Sequence, residues 1–293
     1  MTTTFNTFVQ TVIIELENRL TDYAISEVTV TKINDESLCG ISIKHKDSDI
    51  APTIYLNSLY EDYCNGCNLE RIISGLVDMV HNAKPVAPIQ SAEDIDFSFD
   101  SIKDKLTARV IDTELNQIYL QSHPYGYIFA GLAIIAEVNL GDHYRCVITN
   151  QLAEQYGLNI SEILETARDN MQNRYPAMLT NMETALFGNR ENILDGDSNL
   201  GTMGVLTLDG ADGFGATVIA YKGIADTILQ AVGEAEVYLL PSSLHEWIVL
   251  KGDYDTAELK NMVLSANQTV VDTADKLSDS VFKLDAAGLH RVA

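Results

Sequence analysis

The stretch from Gly201 to Leu250 constrains this chain more than any other. Apolar runs at Val205 to Leu208, Ala216 to Tyr221, Val237 to Leu240 and Trp247 to Leu250 have the length and residue types of strands. One amphipathic helix, Gly223 to Val232, lies between the second run and the third. Such a unit must form a sheet with a helix laid on it, and its last strand is led by Leu240-Pro241-Ser242-Ser243-Leu244-His245-Glu246-Trp247. The predicted class is α+β: hairpins and short strands in mostly antiparallel sheets, covered on one face by amphipathic helices.

The N-terminal part fits the same class. Phe5, Phe8, Val9, Val12, Ile13, Leu16 and Leu20 recur at spacings of three and four, which predicts a helix over residues 4–21. Glu27 to Ile33 and Leu38 to His45 alternate with the period of a strand around Asn34-Asp35-Glu36, so a hairpin follows, with Val28, Val30, Ile41 and Ile43 or their neighbours inward. A strand at Thr53 to Leu56, a short helix ending at Asn65-Gly66 and a helix from Asn68 to Val80 complete this part. Residues 82–95, with two prolines and little periodicity, read as a linker between an N-terminal lobe, 1–88, and a C-terminal lobe, 96–293.

Beyond the linker the spacing predicts a short helix at 99–106 and strands at 108–111, 127–140 and 144–149. A turn is expected at His123-Pro124-Tyr125-Gly126-Tyr127, and helices at 161–171 and 177–187. A mobile loop is expected at 188–204, a helix at 256–267, a short one near Thr273 and a strand at 281–284. Residues 54–63 align without gaps to residues 147–156, sharing Asn, Leu, Glu and Tyr, and each copy ends a hairpin before a pair of helices. That pattern suggests an internal duplication, with Asn57 and Asn150 capping the helices that follow.

The net charge of -23 argues against direct nucleic-acid binding and against anionic membrane surfaces. Four cysteines, Cys39, Cys64, Cys67 and Cys146, are too few and too unevenly placed for a secreted disulfide framework, which fits a reducing compartment. Met1 to Leu20 lacks a basic segment and a cleavage site, and Ile128 to Val138 is far short of the ~20 apolar residues a membrane span needs. The expected location is the cytoplasm.

No stretch carries a complete chemical signature. Cys64-Asn65-Gly66-Cys67 has redox or half-zinc spacing, but no second pair completes a four-ligand site, and Asn-Gly reads first as a helix-ending turn. Asp195-Gly196-Asp197-Ser198-Asn199 opens like a calcium loop yet lacks its later glycine and its closing glutamate. The run Asp209-Gly210-Ala211-Asp212-Gly213-Phe214-Gly215 reads as a hairpin loop, because no lysine stands beside it to hold a phosphate. No metal or cofactor is expected. Ser242, Ser243, His245 and Glu246 form the candidate binding site, since Ser and His two residues apart on a strand share a face. As a catalytic set they are incomplete: no Gly-x-Ser-x-Gly elbow is present, and Glu246 would point away from the imidazole. Pro241-Ser242-Ser243 serves equally well as a strand-breaking turn, and the expectation is a buried, structural His245.

Four segments carry a family resemblance: Tyr55 to Tyr63; Val147 to Asn150 with Ala167 to Asn170; Tyr238 to Glu246; and Lys276 to Val281. Together the chain resembles a bacterial family of about this length, a domain of unknown function met in anaerobic gut Gram-positive bacteria. The resemblance spans nearly the whole chain and implies no activity. It also implies that cysteine is not the usual residue at positions 64 and 67, which weakens the redox reading. The functional expectation is a non-enzymatic binding or adaptor protein whose partner is another protein. The alternatives are a hydrolase using Ser243, His245 and a carboxylate from elsewhere, or an acidic DNA mimic that occupies a nucleic-acid-binding partner.

Overall fold

The computed structural model describes residues 3–47, 53–82, 96–141, 144–187, 191–196, 199–209 and 213–293. The predicted linker falls almost wholly outside them. The chain divides into two compact units, Met1–Lys32 with Glu36–Asp96, and Ile33–Asp35 with Phe97–Ala293.

In the first unit α1 (Phe5–Arg19) is capped by the Thr4 hydroxyl, which accepts from the Thr7 N–H. It buries Phe8, Val9, Val12 and Leu16. β1 (Tyr23–Thr31), β2 (Ser37–His45) and β3 (Thr53–Tyr55) form an antiparallel sheet in that order. α2 (Asn57–Cys64) and α3 (Leu69–Asn82) follow, and α3 adds Ile72, Ile73 and Leu76 to the core. Cross-strand partners share a face, and Ile25 pairs with Ile43 and Glu27 with Ile41. Val28 and Val30 pair instead with Gly40 and Leu38, so they lie on the face opposite Ile41 and Ile43. The inward residue of β1 is Ile25, because register fixes parity and a shift of one residue exchanges the faces.

The predicted cap at Asn57 is also corrected. Its side chain accepts from the Cys39 N–H of β2 at 3.0 Å, and α2 starts without a side-chain cap. Asn150 donates to the Gln121 carbonyl, and α5 (Asn150–Tyr156) is capped by Thr149.

The second unit holds two further antiparallel sheets. In the smaller, β6 (Leu132–Gly141) pairs with β4 (Leu106–Asp112), β5 (Tyr125–Phe129) and β7 (Tyr144–Val147). The predicted single strand at 127–140 is thus two strands, folded at Ala130-Gly131, where both residues take positive φ as a tight hairpin turn requires. Tyr125 already belongs to β5, so the turn predicted over 123–127 is shorter. α4 (Phe99–Ile102) precedes β4, and α6 (Ile160–Arg174) buries Ile163, Leu164, Ala167 and Met171.

The larger sheet has the order β13-β12-β10-β11-β9-β8. Its strands are β8 (Ala177–Asn181), β9 (Met203–Leu208), β10 (Glu236–Ser243), β11 (Glu246–Leu250), β12 (Phe282–Asp285) and β13 (Gly288–Arg291). α7 (Met182–Leu186) follows β8, and α8 (Ile224–Val232) precedes β10. α9 (Thr256–Thr269) packs Leu259 and Val263 against Tyr238, Leu240 and Leu250. Trp247 anchors the sheet: it is fully buried, meets Phe282 edge-on at 5.4 Å, and donates from its indole N–H to the Ala216 carbonyl at 2.9 Å.

Two predicted elements changed type here. Residues 177–187 are a strand and then a short helix, because Met178, Leu179 and Thr180 are buried in pairing with β9. Residues 216–221 form most of a 3-10 segment, Gly215–Ala220, buried along its whole length. An apolar run buried on all sides has no period to separate strand from helix. Thr217 of that segment covers the free edge of β4: its hydroxyl accepts from the Val110 N–H at 3.3 Å and faces the Ala108 carbonyl at 3.4 Å.

A polar clasp closes the unit. Buried Asp112 accepts from the Ser278 hydroxyl and from the Arg291 guanidinium at 3.0 Å, while Arg291 also reaches the Ala130 carbonyl and Glu114. A helix pair follows β3 and another follows β7, but the two sheets are wired differently, and the structure does not establish a duplication.

Candidate functional site

The hairpin that joins β10 to β11 turns at Leu244-His245, with Ser243 opposite Glu246. Pro241 does not break the strand. It lies inside β10 opposite Trp247, beyond the last residue that β12 pairs, where a missing N–H leaves no ladder partner unsatisfied. The register shifts between Pro241 and Ser243, a bulge that re-aims the tip. Because His245 sits in the turn, Ser243 and His245 do not share a strand face.

The backbone of the tip is anchored at three points. The Leu244 N–H donates to the Asp275 carbonyl at 2.7 Å, the Leu244 carbonyl accepts from Ala216 N–H at 3.1 Å, and the His245 carbonyl accepts from the Thr207 hydroxyl at 2.8 Å. Gly215 permits this approach. A Cβ there would stand 2.1 Å from the His245 carbonyl oxygen and 2.1 Å from Thr207 Oγ1.

The side chains divide differently from the sequence expectation. Ser242 donates to Glu246 Oε1 at 3.1 Å, and the Ser243 hydroxyl accepts from the His245 backbone N–H at 3.1 Å. His245 is not buried: its side chain is 50% exposed. Its Nδ1 faces the Gly213 carbonyl at 3.1 Å and its Nε2 faces Asp275 Oδ1 at 3.4 Å. The ring stacks on Phe214, with centroids 5.7 Å apart and planes 16° from parallel.

Phe214 leads to charges that no local spacing had flagged. The Arg109 guanidinium lies 3.3 Å from the Phe214 ring centroid, and that of Arg145 lies 5.3 Å away. Arg109 contacts Glu137 at 2.5 Å, and both side chains are largely buried. The contact is one of charge more than of alignment, since Arg109 Nε and Glu137 Oε1 lack hydrogen-bond partners among the described residues. Burial pushes the Arg109 guanidinium below its ordinary value, and Glu137 opposes that shift. Nearby, Tyr119 stacks on His123 at 3.8 Å, and burial raises its phenol to about 12.

The other motifs converge on nothing comparable. Cys64 is exposed, Cys67 is half-buried, and both are free thiols. Residues 197–198 of the calcium-like stretch and 210–212 of the glycine-rich run lie outside the described residues. Among the described residues no three His, Cys, Asp or Glu side chains are placed to hold a metal ion, and no helix is long and apolar enough to cross a membrane.

Fold and tip define an α+β protein of antiparallel sheets that presents a braced imidazole at a hairpin turn. The chain matches the family of unknown function DUF5688 over residues 5–285, and it belongs to that family. No curated protein and no solved structure matches it.

Proposed function

We propose that this is a non-enzymatic binding protein that acts in the cytoplasm. The tip formed by Ser242, Ser243, His245 and Glu246 is read as the surface that contacts another protein. One observation carries the reading: both imidazole nitrogens of His245 already face protein acceptors, yet half of the side chain stays open to solvent. A ring held by Phe214, Gly213 and Asp275 is ordered before any partner arrives, which lowers the entropic cost of binding. The same occupancy opposes general-base catalysis, because a base needs a ring nitrogen directed at its nucleophile.

The His245–Asp275 contact is the observation that favours the second reading, a hydrolase in which Asp275 orients His245 toward Ser243. Against it, the Ser243 hydroxyl bonds the His245 backbone and not the ring.

Two measurements decide. Tagged full-length chain retains a stoichiometric partner from lysate, and His245→Ala with Glu246→Lys abolishes capture at an unchanged Tm. Capture that survives both substitutions overturns the binding site. Labelling of Ser243 by a fluorophosphonate probe, lost in His245→Ala, replaces it with the hydrolase.

A further inference from the structure

Within the first unit, α2 and α3 leave an open groove of about 470 Å³ between them. Leu59, Ile72, Leu76 and Met79 give it apolar walls, and the Met79 side chain is more than half exposed at its mouth. Gly75 lies on its lining, at the middle of α3.

That glycine has no local reason to be there. Its φ is ordinary, and a Cβ built on it meets no atom within 4 Å. Neither a left-handed turn nor a close approach requires it, although Gly in a helix interior is destabilising relative to Ala. What its bare Cα does provide is room in the groove.

The charge around the groove selects the occupant. Asp62 is part of the lining, and Asp78, three residues beyond Gly75 on α3 and seven beyond Arg71, stands exposed on that side of the helix. Arg71 also lines the groove, and Glu70 is held by Arg19 at 2.7 Å. Among the described residues of α2 and α3 the carboxylates outnumber Arg71, the one Lys or Arg on the two helices, on a chain whose net charge is -23. From Arg71 through Gly75 to Met79 the wall covers two helical turns, the span that anchors at i, i+3, i+4 and i+7 of a docked helix would fill.

We infer that the α2–α3 groove docks an amphipathic helix of a partner protein, one with a leucine-type apolar stripe flanked by lysine or arginine. A methionine at the mouth suits such a ligand, since its flexible thioether adapts to the apolar face it meets. This surface is separate from the β10–β11 tip, and its success or failure leaves the reading of that tip untouched.

The test uses the full chain with isotope-labelled methionine methyls and a synthetic peptide of leucine and lysine in amphipathic order. Expected is a saturable shift of the Met79 methyl, assigned through Met79→Leu, with binding at least tenfold weaker for a scrambled peptide of identical composition. Gly75→Leu fills the groove and weakens binding at least tenfold without lowering Tm. The pair Asp62→Lys and Asp78→Lys, on the exposed rim, weakens it as much and keeps the test decisive should Gly75→Leu fold poorly. A Met79 methyl that does not move, or binding that survives both the filled groove and the reversed rim, overturns the proposal. So does equal binding of a leucine–glutamate peptide, or a concentration-dependent Met79 shift without peptide, which would assign the groove to a second copy of this chain.

Discussion

Gly215→Ala is the sharpest perturbation of the second unit. The new Cβ would lie 2.1 Å from the His245 carbonyl oxygen and from Thr207 Oγ1, where ordinary contact begins at 3.4 Å. Neither atom is the free end of a flexible side chain. The carbonyl is backbone at a two-residue turn, and the hydroxyl is bonded to that same carbonyl at 2.8 Å. The tip must therefore lift, which breaks the Thr207 bond and the Ala216-to-Leu244 bond at 3.1 Å. Two hydrogen bonds contribute about 1 kcal/mol each, and forcing atoms into a packed site adds at least about 1 more. The expected loss is about 3 kcal/mol, or roughly 6–12 °C in Tm for a domain of this size.

Urea unfolding followed by fluorescence measures it directly, because Trp247 is the chain's one tryptophan and lies fully buried in β11 beside the tip. Thr207→Ala alone should cost about 1 kcal/mol, since only one bond is lost. The double variant should cost less than the sum, because Thr207→Ala removes one of the two atoms the new methyl strikes. A Gly215→Ala change within about 0.5 kcal/mol, or strict additivity in the double variant, would refute the account of how the tip is seated.

Other tests reach the rest of the second unit. Glu137→Ala leaves Arg109 buried without its countercharge and should cost about 3–5 kcal/mol, whereas Arg109→Met with Glu137→Leu should recover most of that, read by denaturant midpoint. Asp112→Asn strips the clasp of its charge and should cost about 3 kcal/mol, although Glu114 still meets Arg291 at 2.6 Å; no change would mean that Glu114 alone suffices. Burial raises the phenol of Tyr119 to about 12 and that of Tyr221 higher still, so their contribution to stability is whole below the ordinary phenol value of about 10 and is lost as pH rises through the folded value. Tyrosinate absorbance should then show late ionisation that coincides with unfolding, and Tyr119→Phe should flatten the alkaline loss; ionisation of every tyrosine before the fold yields would sink this assignment.

How much of this was legible depended on whether the signal was local. α1 announced itself through Phe8, Val9, Val12 and Leu16, because one buried stripe on an exposed helix repeats at the helical period. The strand at Ala177–Asn181 was misread, since its partner β9 stands across a long connection and helix-forming residues follow directly in α7. Ala130-Gly131 escaped notice because Ala seldom takes positive φ and no Asn or Asp marks the turn. At the site, Ser242, Ser243, His245 and Glu246 were visible as polar residues interrupting apolar strands. Arg109, Glu137 and Phe214 were not, because their proximity is made by sheet pairing and by the 3-10 segment at Gly215–Ala220. The glycine-rich run held the only local hint: Phe214 set between Gly213 and Gly215 is an aromatic residue with unusual freedom of approach on either side.

The tip therefore separates what holds it from what it offers. Its seat is backbone, through the carbonyls of Leu244 and His245 and the Leu244 N–H, against Ala216, Thr207 and Asp275. The imidazole adds contacts that are half open to water, and exposed polar contacts of that kind contribute about 0–1 kcal/mol. His245→Ala should thus leave the hairpin standing, with Thr207 and Gly215 still in register, and remove only the presented ring. Were His245 chiefly structural, His245→Ala and Gly215→Ala would lower Tm alike. If the seat is as described, Gly215→Ala lowers Tm and capture together, and His245→Ala lowers capture alone. A Tm loss of several degrees in His245→Ala would return the histidine to the fold and remove the main support for a binding role.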